Sequence, residues 1–267
     1  MLQIPVLRWG QPYTSLEIDE VRVELADIHD ERLASVAAEV RAAGGTPLVV
    51  RCDVRDTQAV ENLVARCEAE FGGLDVFFNN AGVAGGGSFE KLSDEDWQWL
   101  LDINLMGVVR GARAVVPLFR RQGSGTIVNI ASMAGLLAPP GMSSYNVAKT
   151  GVVSLSETLH GELAPFGIRI TCVCPSFFRT NLMESLRTPD AAMRKSFDRL
   201  LDSSEISAAD IADIVFRAVQ RGEFLCLPHR KGRHAWWMKR ALYGRYLQEM
   251  VKIGRSLARR RLAAPQR

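Results

Sequence analysis

The chain alternates short, largely apolar runs with longer segments whose apolar residues recur every three or four positions. Residues 21–26 are rich in valine and leucine and end at Asp27, which predicts a strand. Over 29–43, Leu33, Val36, Ala37 and Val40 share one helical face, and Gly44-Gly45 stops the pattern. A strand is expected over 47–52. A helix is expected over 57–71, where Val60, Leu63, Val64 and Cys67 align before Gly72-Gly73, and a strand over 74–78. A long helix is expected from Ser93 to about Arg121. Ser93 with Asp96 three residues later resembles a helix start, and Pro117 is placed to kink the helix near its end. Further strands at 126–131, 168–174 and 224–227 alternate with helices at 143–164 and 207–221.

Strands alternating with helices predict an α/β fold with a parallel sheet covered on both faces. Ligands on such sheets bind beyond the carboxyl ends of the strands. Chemistry is therefore expected just after each strand, at Asp27, Asp53-Val54, Asn79-Asn80-Ala81-Gly82, Ser132 and Pro175-Ser176.

Composition narrows the picture. With 267 residues, 47% of them hydrophobic, the chain can bury the core of one α/β domain or two small ones. No apolar run of about 18 residues exists, so no spanning helix is expected. The start, with Pro5, Arg8 and Trp9, lacks the charged-then-apolar order of a signal peptide. The five cysteines (Cys52, Cys67, Cys172, Cys174 and Cys226) form no C-x-x-C and sit mostly in apolar stretches. They read as reduced core cysteines of a cytoplasmic protein, and no metal site is expected. Net charge is +3 but uneven. Residues 228–267 hold twelve Lys/Arg against one acid, Glu249, for +11. Residues 1–227 hold twenty-one against twenty-nine, for −8.

Tyr145 and Lys149 lie four apart on the helix expected over 143–164, so they share a face. A phenol titrates near pH 10, and a nearby ammonium stabilises its phenolate, so the two make a sensible proton-transfer pair. Alone, a tyrosine and a lysine four apart on a helix are usually just surface neighbours. Ser132 follows the strand at 126–131, where its hydroxyl could stabilise charge growing on a substrate oxygen or merely cap a helix. No G-x-S-x-G elbow supports a serine hydrolase.

Several motifs occur in order. They are Asp53-Val54, Asn79-Asn80-Ala81-Gly82, Asn104 within Asp102-Ile103-Asn104, Ser132 within Asn129-Ile130-Ala131-Ser132, and Tyr145-x-x-x-Lys149. Pro175-Ser176-Phe177-Phe178-x-Thr180 follows one strand later. Over about residues 21–227 this ordered set resembles the classical short-chain dehydrogenase/reductase family. The resemblance implies a Rossmann-like doubly wound sheet in a single domain, and hydride transfer between a nicotinamide cofactor and an alcohol or carbonyl substrate. Tyr145 would be the general acid/base, Lys149 would lower its pKa and hold the nicotinamide ribose, and Ser132 would orient the substrate oxygen. Asn104 would hold a water linking Lys149 to solvent. Asp27 would accept the adenine ribose hydroxyls and repel a 2′-phosphate, favouring NAD over NADP, since no arginine adjoins it at Ile28-His29. Asp53 and Val54 would border the adenine, and Asn80, Ala81 and Gly82 the middle of the cofactor. Phe178 and Thr180 would lie by the nicotinamide carboxamide. Residues 85–89, 136–142 and 182–201 would line the substrate space, with a helical segment between Thr180 and Ser204 over it. A homodimer or homotetramer is implied as well.

The chain departs from the family at its start. The family's first strand leads into a T-G-x-x-x-G-x-G turn whose backbone N–H groups hold the pyrophosphate. Here Gly10 is the one glycine before Asp27, and Pro5 and Pro12 oppose a regular strand-turn-helix. Residues 1–20 are thus read as an atypical segment with the first strand and glycine turn missing or altered. Either an aberrant start is joined to an ordinary reductase, or the chain is a genuine variant holding cofactor weakly. The intact catalytic set favours the first. Weak NAD binding is expected in both cases, and a cofactor-deficient, non-catalytic scaffold is the alternative function.

Residues 228–267 form a basic tail. Tyr243, Tyr246, Leu247, Met250, Val251 and Leu257 recur at helical spacing, with Arg245, Lys252, Arg255 and Arg259 off that stripe. The stripe caps the substrate pocket or a neighbouring subunit, or else lies on an anionic membrane surface. Nucleic-acid binding is not expected of a chain with a net-negative body and no reading motif.

Overall fold

The computed structural model describes residues 3–8, 21–190, 194, 201, 204 and 206–262. Seven strands form one sheet: β1 Gln3–Arg8, β2 Arg22–Asp27, β3 Thr46–Arg51, β4 Val76–Asn79, β5 Gly125–Ile130, β6 Ile168–Val173 and β7 Leu225–Cys226. Their order is β3-β2-β1-β4-β5-β6-β7. The helices are α1 Asp30–Ala42, α2 Thr57–Phe71, α3 Asp94–Leu101, α4 Gly107–Gln122, α5 Met133–Leu137, α6 Ser143–Leu163, α7 Ala208–Gln220, α8 Arg230–Ala241 and α9 Tyr243–Leu262. No described helix is long and apolar enough to cross a membrane.

The expected strands and helices return with ends shifted by a residue or two. Their termini carry physical stops. Asp56 caps α2 by accepting from the N–H groups of Gln58 and Ala59, and Gly72 ends it at φ 73°. Ser207 and Asp210 form a reciprocal capping box on α7. Strand residues such as Leu25, Phe77, Ile127 and Ile170 are fully buried, as a sheet covered on both faces requires.

Three expectations need correction. The sheet is parallel except for β1, which runs antiparallel to both β2 and β4. Pro5 does not prevent a strand there, and the register of β1 shifts between Gln3 and Pro5, the kind of irregularity at which proline is tolerated in a sheet. Helix 93–121 is divided by a π-helical turn, Asp102–Met106, and α4 runs on through Pro117 to Gln122. A single inserted residue of this kind leaves the apolar periodicity almost untouched.

Between Thr180 and Ser204 the described residues contain a 3-10 helix, Asn181–Ser185. The rest of the helical segment expected there falls largely outside the described residues, as does the connection 9–20.

Candidate active site

The site lies at the carboxyl ends of β4, β5 and β6. A buried chain of amides fixes its floor. Asn79 Nδ2 donates to Asn129 Oδ1 at 2.9 Å, Asn129 Nδ2 to Ser156 Oγ at 3.0 Å, and Ser156 Oγ to the Val152 carbonyl at 2.7 Å. β4, β5 and α6 are thereby locked in one register, and α6 carries Tyr145 and Lys149. Gly135 lets α5 approach α6: a Cβ there would stand 2.5 Å from the Lys149 carbonyl oxygen.

Ser132, Tyr145 and Lys149 converge on one cavity of about 280 Å³. Ser132 caps α5, accepting from Ala134 N–H at 3.1 Å, and donates to the Pro175 carbonyl at 3.4 Å. It is thus both a cap and a cavity residue. Burial pushes the Tyr145 phenol up to about 12, and the Ser132 hydroxyl beside it offsets this only in part. Burial brings Lys149 down to about 8. The Lys149 ammonium donates to the Ile130 carbonyl at 2.8 Å and stands 5.9 Å from the Tyr145 ring centre.

Asn104 sits in the π-helical turn, fully buried. Its Oδ1 accepts from Val83 N–H and its Nδ2 donates to Val83 O, both at 2.9 Å. It therefore fastens the loop after β4, which brings Asn80 and Gly82 to the cavity. Each expected substrate-lining stretch contributes: Gly85; Leu137 and Met142; Leu182, Met183 and Leu201. Phe178 and Thr180 also line the cavity, and the Thr180 hydroxyl caps the 3-10 helix through Leu182 N–H at 3.2 Å.

A second groove is lined by Asp53 and Val54, expected beside the adenine, and by Gly82, expected at the middle of the cofactor. Asp27 is fully buried at the end of β2. Its Oδ1 accepts from His29 N–H at 3.0 Å, and its Oδ2 is buried with no partner among the described residues. An orphaned carboxylate oxygen fits a diol that would donate to it. The Arg55 guanidinium, which grips Asp53 through two nitrogens, lowers the pKa of its carboxyl. Arg32 also lines this groove and is ion-paired to Glu184 across it. Two arginines, Arg32 and Arg55, therefore line the groove that Ile28 and His29, the residues after Asp27, also line.

The cavity and the groove lie on either side of Gly82 and Val83, which line both, and the direction of β1 sets what reaches the sheet end between them. Because β1 is reversed, its first residue, Gln3, pairs with Ala26 near the ligand end, while Arg8 pairs with Arg22 at the far end. In this slot a parallel strand would deliver a glycine turn to the ligand end, and the reversed one does not.

Sequence reasoning missed one residue here. His229, just before α8, accepts Ser176 N–H on Nδ1 at 3.1 Å, and burial lowers its pKa, favouring the neutral ring. It braces the Pro175–Phe178 loop against the tail. Its partner lies 53 residues away, so no local pattern announces it.

Comparison with known proteins agrees with this geometry. The family profile described as short chain dehydrogenase matches residues 15–191. A 3-oxoacyl-[acyl-carrier-protein] reductase of Synechocystis is 37% identical over 152 residues, 57% of this chain and 62% of that protein, so the match spans under two thirds of that relative. A Burkholderia phymatum short-chain dehydrogenase/reductase solved with NAD is 33% identical, with a TM-score of 0.77, covering 81% of this chain and 83% of that one. A Sphingobium yanoikuyae short-chain dehydrogenase solved with NADPH is 28% identical, with a TM-score of 0.68, covering 86% of this chain and 85% of that one.

Proposed function

Since the chain belongs to the short-chain dehydrogenase family of oxidoreductases, we propose that it transfers hydride between NAD(H) and a secondary alcohol or carbonyl compound, with Tyr145 exchanging the proton. The observation that carries this reading is the meeting of Ser132, Tyr145 and Lys149 at one end of a mostly apolar cavity. A bound nicotinamide supplies or takes the hydride. In the reducing direction, Tyr145 gives its proton to the carbonyl oxygen as an alcohol forms, while Ser132 donates a hydrogen bond to that oxygen. Its raised pKa keeps the phenol protonated at neutral pH, which suits it as the acid. In the oxidising direction Tyr145 must receive the alcohol proton as phenolate, and the Lys149 ammonium is the cation that favours this state.

Asp27 would hold the adenine ribose, Asp53 and Val54 the adenine, and Asn80, Ala81 and Gly82 the middle of the cofactor. Tyr145 and Lys149 would hold the nicotinamide ribose, with Phe178 and Thr180 beside the carboxamide. The Asp27 carboxylate favours NAD over NADP, and the ion pairs of Arg32 and Arg55 with Glu184 and Asp53 keep both cations engaged. Substrate is a small alcohol or ketone, and further copies of the chain are its expected partners.

Tyr145→Phe tests the reading. In a chain given a T-G-x-x-x-G-x-G turn, carbonyl reduction with NADH should vanish while circular dichroism stays unchanged. Near-full activity would show that Tyr145 is not the acid.

The reversed β1 favours a second reading, a scaffold that holds cofactor weakly or not at all. Fluorescence titration with NADH separates the two. Tight binding by the unaltered chain removes the scaffold reading, and binding too weak to saturate supports it.

A further inference from the structure

The basic tail divides its apolar stripe between two environments. One flank of α9 turns inward. Tyr246 is 3% exposed, and its hydroxyl donates to the Leu137 carbonyl at 2.5 Å. From α8, Lys239 likewise donates to the Leu136 carbonyl at 2.5 Å. Both contacts fall on α5, whose Leu137 lines the cavity. The other flank turns outward. Tyr243, Leu247 and Val251, spaced four apart on one face, are 57%, 45% and 52% exposed. Among the described residues α9 packs chiefly on α8, and nothing covers this flank.

By helical geometry Arg255 lies beside the flank, next to Val251, and Arg259, Lys252 and Arg245 follow farther round the helix, away from the buried Tyr246. Arg245, Lys252, Arg255 and Arg259 are all exposed on α9. Glu249, the one acid of residues 228–267, pairs with Lys252 at 2.6 Å. A second copy docking through the same face would set one strongly basic tail against another, which is electrostatically unfavourable. An acidic, apolar-cored surface complements both properties at once.

We propose that α9 lies on an anionic lipid surface, with Tyr243, Leu247 and Val251 inserted at the headgroup boundary and the arginines toward lipid phosphates and carboxylates. The helix is anchored through Tyr246 to α5, so the wall of the cavity is tied to the lipid-bound element. The surface is independent of the chemistry assigned to Tyr145.

Co-sedimentation of the full chain with vesicles tests the proposal. The chain should pellet with phosphatidylcholine vesicles containing phosphatidylserine and stay in solution with pure phosphatidylcholine, and added salt should weaken the binding. Leu247→Glu with Val251→Glu should abolish pelleting, and Arg255→Gln with Arg259→Gln, the two arginines nearest the flank, should lower partitioning roughly tenfold or more. Both pairs alter exposed positions, and circular dichroism should show helicity retained. Failure to pellet with phosphatidylserine vesicles at low salt overturns the proposal, as does binding indifferent to both variants. It is also overturned if the lipid-free chain self-associates and Leu247→Glu with Val251→Glu dissolves that oligomer, since a second copy would then be the occupant.

Discussion

The Lys149 ammonium is tethered to the carbonyl of Ile130 at 2.8 Å, two residues before Ser132 on the same strand end. One carbonyl thus ties the position of the cation to that of the serine, and both depend on the β5 terminus. Burial leaves Lys149 titrating near 8, so its charge is lost as pH rises through that value. Tyr145, near 12, keeps its proton throughout. Carbonyl reduction should therefore decline above about pH 8. Lys149→Met should lower kcat/KM by about a hundredfold or more and flatten that decline. A kcat/KM profile against pH checks both, and an inflection near 8 that survives in Lys149→Met would assign it to another group.

Glu24 is a second buried titratable group, away from the site. It lies in β2, fully buried, and both carboxylate oxygens lack hydrogen-bond partners among the described residues. Burial raises it to about 8; the nearby Cys67 thiol, too poorly placed for a regular hydrogen bond, and the Arg66 charge pull the other way without cancelling it. The unfolded carboxyl ionises near 4.5, so folding favours the protonated form. That contribution is fully present below pH 4.5 and is lost as pH rises through 8. Lys149 acts in the opposite sense. Its folded value is below its unfolded 10.5, so stability returns between pH 8 and 10.5. Chemical denaturation should show stability falling from pH 5 to about 8, and above pH 9 the buried Cys52 and Cys226 thiols, each pushed up to about 11, offset the return from Lys149. Glu24→Gln should be more stable than wild type by about 2 kcal/mol at pH 8 and lose most of the fall between pH 5 and 8. An unchanged profile in Glu24→Gln would place the dependence elsewhere.

Much of this architecture can be read from the chain because strands and amphipathic helices declare themselves locally. The run ending at Asp27 and the stop at Gly72-Gly73 need no partner to be recognised. Ser132, Tyr145 and Lys149 are legible for a related reason: their spacing is a property of one strand end and one helix. Three features were not legible. The direction of β1 is decided by pairing with β2 and β4, and its own pattern is silent on parallel against antiparallel. The π-helical turn at Asn104 inserts a residue without disturbing the apolar face. His229 acts on Ser176 across 53 residues, through a backbone N–H that any residue would offer.

Asn104 gives a sharper test of the loop after β4. Both ends of its amide are spent on Val83, so Asn104→Ala leaves a buried N–H and a buried carbonyl without partners. The expected cost is about 2–4 kcal/mol of stability. The loop also presents Asn80 and Gly82 to the cavity, so the variant should raise the KM for NADH more than it changes kcat. Thermal denaturation and steady-state kinetics measure the two effects. Full stability in Asn104→Ala would mean that water or a shifted loop satisfies Val83.

Cofactor choice turns on Asp27 at the end of β2 and on Arg32 and Arg55, which line the groove beside the next two residues, Ile28 and His29. A 2′-phosphate would meet the Asp27 carboxylate in a buried setting, where like charges repel more strongly than in water. Arg32 and Arg55 could neutralise such a phosphate only by leaving Glu184 and Asp53. Asp27→Ser removes the repulsion and should shift the NADPH-to-NADH affinity ratio toward NADPH by roughly tenfold. Adding Glu184→Gln frees Arg32 from its exposed partner and should extend the shift by a smaller factor, about threefold, because exposed pairs are weak. Parallel titrations of both reduced cofactors give the ratios directly. A ratio unmoved by Asp27→Ser would show that the carboxylate does not face the ribose, and the assignment of the adenine end of the site would have to move away from β2.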